Sequence, residues 1–158
     1  MTNEPHDRAW EIMDKFTIAT LITTIGGEVR ARPMGVTVKR QEGAVYFLTN
    51  LDSTKASDIA ANPDVTVLFV DDDGQKYLSL RGRAGVLDDR AKIKELWTPF
   101  AKAWWDGPED PQIRVVRVNP ESAEFWDSPG KIASYAKMLT AAVTGARPKI
   151  GENKIVAL

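Results

Sequence analysis

A hydroxyl-rich turn followed by a lysine is the part of this sequence best suited to bind an anion. Its polar groups are three hydroxyls and one ammonium, from Thr49, Ser53, Thr54 and Lys55. The surrounding apolar pattern predicts a strand over residues 44–49 and a helix over residues 55–61. The unpaired N–H groups and the positive dipole of a helix start favour a phosphate. An ordinary strand-to-helix link with Ser53 or Thr54 as the N-cap explains the same residues.

A second cation, Arg32, lies in a stretch that we expect to reach the same end of the sheet. Residues 29–39 predict one long strand, which a short turn joins to the strand over residues 44–49. Strands joined in this way are antiparallel neighbours. Pro33 belongs at a strand edge or a bulge, because proline has no N–H group to donate. Together, Arg32 and Lys55 would offer bidentate and point-charge contacts to one phosphate.

The other elements follow from periodicity and turn residues. We expect a first helix over residues 7–15, strands over 17–25, 65–70 and 77–87, a helix over 90–96, and two final strands over 113–118 and 122–126. The final two strands would be joined by a turn at Asn119-Pro120. The cluster Asp71-Asp72-Asp73 lacks the distal glutamate of a calcium loop, so it predicts a hairpin turn and no metal site.

The order and spacing of these motifs resemble those of the pyridoxamine 5′-phosphate oxidase-like split-barrel flavoproteins, and in particular their general stress protein branch. The resemblance is carried by residues 32–37, 49–55, 77–82 and a tryptophan-rich segment over residues 96–111. It runs from the first helix to about Asp127. It implies a mainly β fold with flanking helices, an antiparallel split β-barrel that binds FMN across the interface of a homodimer.

The resemblance also implies which residues hold the cofactor. Two cations and two hydroxyls would hold the FMN phosphate, from Arg32, Lys55, Ser53 and Thr54. The flavin ring and ribityl chain would lie along a second set, Pro33, Met34, Gly35, Val36, Thr37, Leu48 and Thr49. Gly35 would allow close approach of the backbone because it lacks a Cβ atom. Tyr77 stands where the oxidases carry a glutamine that touches the flavin, so this contact differs here.

Composition excludes several other functions. The 158 residues suggest one domain, residues 1–158, with a helical or loosely specified tail over about 131–158. A net charge of -1 gives no overall attraction to nucleic acid. The absence of cysteine excludes disulfides, thiolate catalysis and cysteine-ligated metals. No apolar run approaches the ~20 residues of a membrane span, and the polar N-terminal residues do not resemble a signal peptide, so we expect a cytoplasmic protein.

The scarcity of histidine narrows the chemistry further. The one histidine, His6, lies far from the other motifs, which argues against a histidine-activated nucleophile or a histidine-ligated metal. The resemblance implies that true pyridoxamine phosphate oxidases grip their substrate with an Arg–x–His pair near the C-terminus. No such pair follows Pro120. We therefore do not expect oxidation of pyridoxamine 5′-phosphate.

The expected function is an FMN-dependent oxidoreductase that uses NAD(P)H and an unknown small-molecule acceptor. Three alternatives stay open: a flavin-binding store or sensor linked to stress without turnover, a binder of FAD or of the deazaflavin F420, and a structural dimer without a ligand. The five tryptophans allow two interpretations. One of them covers the flavin, or all of them pack in the core and the dimer interface.

Overall fold

Alternating apolar residues and short turns build most of this chain into one antiparallel sheet. The computed structural model describes residues 4–158. Within that range the strands are β1 Ile18–Ile25, β2 Glu28–Gly35, β3 Thr37–Lys39, β4 Ala44–Asn50, β5 Asp64–Asp71, β6 Lys76–Leu87, β7 Ile113–Asp127 and β8 Glu152–Ala157. The helices are α1 Glu4–Asp14, α2 Thr54–Ala61, α3 Arg90–Leu96 and α4 Lys131–Thr144, with short 3-10 turns at Arg40–Glu42 and Pro99–Ala103.

The sheet is curled because its two edge strands are consecutive in the chain. The strand order β2-β1-β5-β6-β7-β4-β3 places β2 and β3 at opposite edges, yet only Val36 separates them. The sheet must therefore bend until its edges approach each other near Val36, whose N–H donates to the Thr17 carbonyl at 3.0 Å. This curled antiparallel half-barrel with flanking helices confirms the predicted fold class.

The core fills the inside of the curl. A row of side chains in register across five strands is buried, from Leu21, Val67, Leu80, Ala123 and Val156. The apolar face of α1 closes this core with Trp10, Ile12 and Met13, which removes a large apolar area from water. A second cluster, which includes Ile93 of α3 and Tyr46 of β4, covers the other face of β4 and β7.

The predicted long strand over residues 29–39 is wrong in its continuity. The chain forms β2 and β3 on either side of Val36, and the two strands pair with different neighbours. β2 pairs with β1, so Arg32 faces Leu21, while β3 pairs with β4, so Thr37 faces Tyr46. The interruption is the point where the chain passes from one sheet edge to the other. Pro33 lies on the edge strand β2, as predicted.

The predicted turn at Asn119-Pro120 is also wrong, because β7 continues through it. Pro120 lies opposite Gly82, and the register of β6 against β7 shifts between Arg81 and Gly82. A Cβ atom on Gly82 would lie 2.4 Å from the Asn119 carbonyl oxygen. The missing side chain lets the two backbones approach, and the irregularity accommodates the proline without a reversal of the chain.

The C-terminal tail is more ordered than the sequence suggested. Its helical part is present as α4, but residues 152–157 form β8, which pairs with residues 122–127 of β7. Val156 is the one buried residue of β8, so the alternation that identifies a strand is weak there. Within residues 4–158, no helix is long and apolar enough to cross a membrane, and no acidic or histidine cluster is arranged to hold a metal.

Candidate anion-binding site

The hydroxyl-rich turn leads into α2, close to the predicted position. Ser53 is the N-cap, and its Oγ accepts a hydrogen bond from the Ala56 N–H at 3.1 Å. The Thr49 hydroxyl donates to the same oxygen at 2.9 Å. Ser53 therefore fills the ordinary capping role, and Thr49 supports it from the end of β4. Thr54 is exposed at the first turn, where the helical N–H groups have no intrahelical partner.

Lys55, in the first turn of α2, is half-buried and its charge is disfavoured by its surroundings. Burial lowers the pKa of its ammonium group, and the positive charge of Arg32 lowers the pKa further. The structure thus brings Arg32 and Lys55 together, as predicted from the sequence. Two like charges beside a helix N-terminus create a positive local potential, which favours the binding of an anion.

Arg32 is held in place by a residue that sequence reasoning missed. Its Nη2 donates to the Asp58 carboxylate at 2.8 Å, and its Nη1 donates to the Thr23 hydroxyl at 2.9 Å. Asp58 lies on α2, one turn after Lys55, and is 5% exposed. A buried carboxylate needs a charged or hydrogen-bonding partner. In the sequence, the signal for such a partner is an aspartate that lies next to Ile59 on the apolar face of α2.

Asp58 also binds a second arginine. The Arg30 Nη1 donates to the Asp58 Oδ1 at 3.1 Å, and the Thr23 hydroxyl donates to the Oδ2 at 2.9 Å. The bond from Arg32 is the main reason that the pKa of Asp58 is lowered, against the opposing effect of burial. Arg30 also contacts the carboxylate of Glu28, but that exposed pair is screened by solvent. We call Arg30, Arg32 and Asp58 the arginine–aspartate triad.

The other predicted cofactor residues lie around this cluster in different environments. Along β2 and the start of β3, Pro33 and Gly35 are exposed, Met34 packs against the core, and Val36 is buried. Two further residues, Thr37 on β3 and Leu48 on β4, are half-buried. The exposed backbone at Gly35 agrees with close approach of another molecule, although its role in cofactor binding stays a prediction.

Tyr77 does not join the cluster within one chain. Pro33, Thr20, Leu68 and Ser79 form one row across the sheet, from β2 to β6. Three strand spacings separate the ends of that row, or roughly 14 Å along the sheet. Tyr77 lies two residues from Ser79 on the same face, and its hydroxyl is 3.4 Å from the Asp72 carboxylate. A cofactor contact from Tyr77 would have to cross that distance or come from another copy.

The tryptophans divide between the core and the surface. Trp10 is buried in the core, while Trp104 is 74% exposed. The Trp105 indole donates to the Asn50 amide oxygen at 2.6 Å, which places this ring beside the turn that leads into α2. Packing therefore explains Trp10, whereas Trp105 contacts the residue that precedes the anion-binding turn.

The comparisons with known proteins come from sequence and from structure. The family model described as "Pyridoxamine 5'-phosphate oxidase like" matches residues 4–149. General stress protein 26 of Bacillus subtilis is 26% identical over 122 residues, which cover 75% of this chain and 85% of that protein. Protein bli-3 of Neurospora crassa is 27% identical over 138 residues, 78% of this chain and 66% of that protein. A pyridoxine/pyridoxamine 5′-phosphate oxidase of Sphingopyxis alaskensis is 30% identical over 152 residues, 75% of this chain and 69% of that protein.

Solved structures agree with the sequence relatives. A general stress protein 26 from Jannaschia superposes with a TM-score of 0.82 at 26% identity, covering 99% of this chain and all of that one (100%). The general stress FMN/FAD-binding protein of Xanthomonas citri superposes with a TM-score of 0.69 at 23% identity, covering 80% of this chain and 90% of that one. At that identity the second match bears on the fold alone. On the family model and these relatives, the chain belongs to the pyridoxamine 5′-phosphate oxidase-like family, as its motifs predicted.

Proposed function

We propose that this protein binds FMN, with the 5′-phosphate of the cofactor at the start of α2. The observation that carries the proposal is the convergence of Arg32 and Lys55 at that helix start, where the pKa of Lys55 is lowered by burial and by Arg32. A phosphate monoester carries nearly two negative charges at neutral pH and accepts several hydrogen bonds. The name of the Xanthomonas citri neighbour, an FMN/FAD-binding protein, supports the same ligand.

The residues at the start of α2 fit the phosphate group of FMN. Arg32 keeps guanidinium N–H donors beyond those given to Thr23 and Asp58, so it can offer a bidentate contact. Lys55 supplies a mobile point charge, and the first-turn N–H groups of α2 supply further donors. Bound FMN would provide hydride and electron transfer. The protein would orient it, and we propose NAD(P)H as the electron donor in a cytoplasmic oxidoreductase with an unidentified acceptor.

We further propose that the protein is a homodimer that shields the cofactor at its interface. The outward face of the sheet exposes several large apolar side chains, from Ile18, Val29, Val70, Trp126 and Ile155. Their strand positions alternate with the buried core residues, so they share one face with Pro33 and Gly35. An apolar face of this kind is typical of a protein interface. It adjoins the edge strand β2 that carries Arg32.

The absorption spectrum of the purified protein tests the cofactor proposal. We expect a bound chromophore released as FMN, and bleaching of its flavin absorbance when NADH or NADPH is added without oxygen. A flavin that neither nucleotide reduces would favour a binding or storage protein. A deazaflavin chromophore would favour F420, and a colourless protein that does not bind added flavin would overturn the proposal.

Light scattering tests the dimer. The mass should be about twice the 17.5 kDa of the chain. Val70→Lys should yield monomers with weakened flavin binding, because an unpaired charge would be buried in the interface. Lys94→Glu, at another exposed position, on α3, is the control and should leave the dimer intact. A wild-type monomer that binds FMN tightly would rule out the shared interface.

A further inference from the structure

The arginine–aspartate triad contains two residues, Arg30 and Asp58, that the proposed phosphate contacts do not use. We infer that Asp58 is a positioning residue for Arg32, and that Arg30 balances the charge of Asp58 so that Arg32 stays available to a phosphate monoester. This inference rests on the proposed function, because it concerns the same anion site. Arg30 and Asp58 would then act on the ligand without touching it.

The first step is the geometry of Arg32. Its side chain is fixed at two nitrogens, by Asp58 at 2.8 Å and by the Thr23 hydroxyl at 2.9 Å. A guanidinium carries five N–H donors, so three of them stay outside these two bonds. A free arginine side chain would lose rotamer freedom when it binds a ligand. Arg32 has already lost that freedom in the folded protein, so the remaining donors are preorganised.

The second step is the charge around Asp58. Without Arg30, the ion pair between Asp58 and Arg32 would be neutral and would attract a phosphate only weakly. Arg30 contacts the other carboxylate oxygen at 3.1 Å, which leaves the triad with one net positive charge. With Lys55 the site carries a formal charge of about +2, which matches the nearly two negative charges of a phosphate monoester. The exposed Glu28 lies at the outer side of Arg30 and is screened by solvent.

The rival explanation is that the triad only ties α2 to the sheet. Asp58 is on α2, Thr23 is on β1, and both arginines are on β2, so their bonds join three elements. Loss of a purely structural tie would lower thermal stability and would change flavin affinity only through the fold as a whole. It would weaken FMN and riboflavin equally, because riboflavin differs from FMN by the missing phosphate. The ratio of the two affinities therefore separates positioning from structural support.

The experiment measures the dissociation constants of FMN and riboflavin for the full-length protein by quenching of flavin fluorescence. Arg30→Gln should weaken FMN about three- to tenfold, because the site loses one positive charge near the phosphate, and leave riboflavin unchanged. Arg30→Lys should retain FMN affinity because it keeps the charge. Thr23→Val removes a tether of Arg32 without any change of charge, and should also weaken FMN selectively. Thr24→Val, the next residue along β1, is the matched control and should preserve both affinities.

Thermal melting of each variant checks that it folds. If Arg30→Gln fails to fold, Thr23→Val decides the matter by the same ratio. If the folded variants lose affinity for both flavins equally, or keep the wild-type ratio of the two dissociation constants, the positioning role is overturned. A wild-type protein that prefers FMN to riboflavin would still support the proposed function. Wild-type protein that binds neither flavin would overturn the proposed function, and the positioning role with it.

Discussion

Replacement of Lys55 by methionine isolates the phosphate contact most cleanly. In the unbound protein the ammonium of Lys55 is half-buried and lies near Arg32, and both conditions lower its pKa. The negative charge of a bound phosphate would offset both penalties. A charge-assisted hydrogen bond contributes about 1.5–3 kcal/mol, or roughly ten- to a hundredfold in affinity. Because Lys55 is half-buried, less water competes with the phosphate for its ammonium group, so we expect a loss in the upper part of that range.

Arg32 is a less clean position for the same test. Removal of its guanidinium would leave Asp58 buried with one fewer partner, and breaking a buried ion pair costs about 3–5 kcal/mol. Loss of FMN binding in Arg32→Ala would therefore combine a lost contact with a destabilised fold. Lys55→Met keeps the aliphatic stem and leaves the triad intact.

The assay is a pair of fluorescence titrations, with FMN and with riboflavin, on wild-type protein and on Lys55→Met. FMN should lose most of its advantage over riboflavin, while riboflavin binds as before. Lys94→Met, which removes an exposed lysine from α3, is the matched control and should change neither affinity. An equal loss for both flavins, or none for FMN, would refute the assignment of Lys55 to the phosphate.

Three further predictions concern pH and substrate. Because the pKa of Lys55 is lowered from its ordinary 10.5, FMN affinity should fall with rising pH before that value is reached. Riboflavin affinity should not fall, and Lys55→Arg should abolish the fall in FMN affinity when both ligands are titrated at a series of pH values. Because Arg32 holds the pKa of Asp58 below its ordinary 3.8, the carboxylate stabilises the fold above that pH and the contribution is lost as the pH falls through the lowered value. In thermal melts, Asp58→Asn should thus be less stable than wild type at pH 7 and approach it in acid; parallel curves would contradict this. Pyridoxamine 5′-phosphate should not be oxidised in a peroxide-coupled assay, since the Arg–x–His pair is missing, and robust turnover would mean that other residues grip the substrate.

Local sequence determined the elements that carry the site. Ser53, one of the two residues expected as the N-cap, caps α2; α3 begins at Arg90, and the β5–β6 turn lies at the aspartate cluster, both as predicted. Each of these features depends on residues within a few positions of one another, so their signals are contained in short windows. The proximity of Arg32 and Lys55 could also be predicted from the sequence, because each residue belongs to one of two motifs that are neighbours in the chain.

The sequence misled where a local signal competes with a partner far along the chain. Asn119-Pro120 is a strong turn signal, but Gly82 opposite it allows β7 to continue. β8 has weak alternation, and it exists because β7 offers a free edge over residues 122–127. In both cases hydrogen bonds to a distant strand decide the conformation, and no short window contains them.

The sequence by itself determined the family, the mainly antiparallel fold and the two cations of the candidate site. Tertiary structure alone decided how Arg32 is held. Asp58 lies 26 residues from Arg32 and 28 from Arg30, and only the curl of the sheet against α2 brings the three together. Burial then makes the carboxylate bind both arginines, because a buried charge without partners would be too costly. A local pattern can supply charged residues, but their pairing depends on the burial that folding creates.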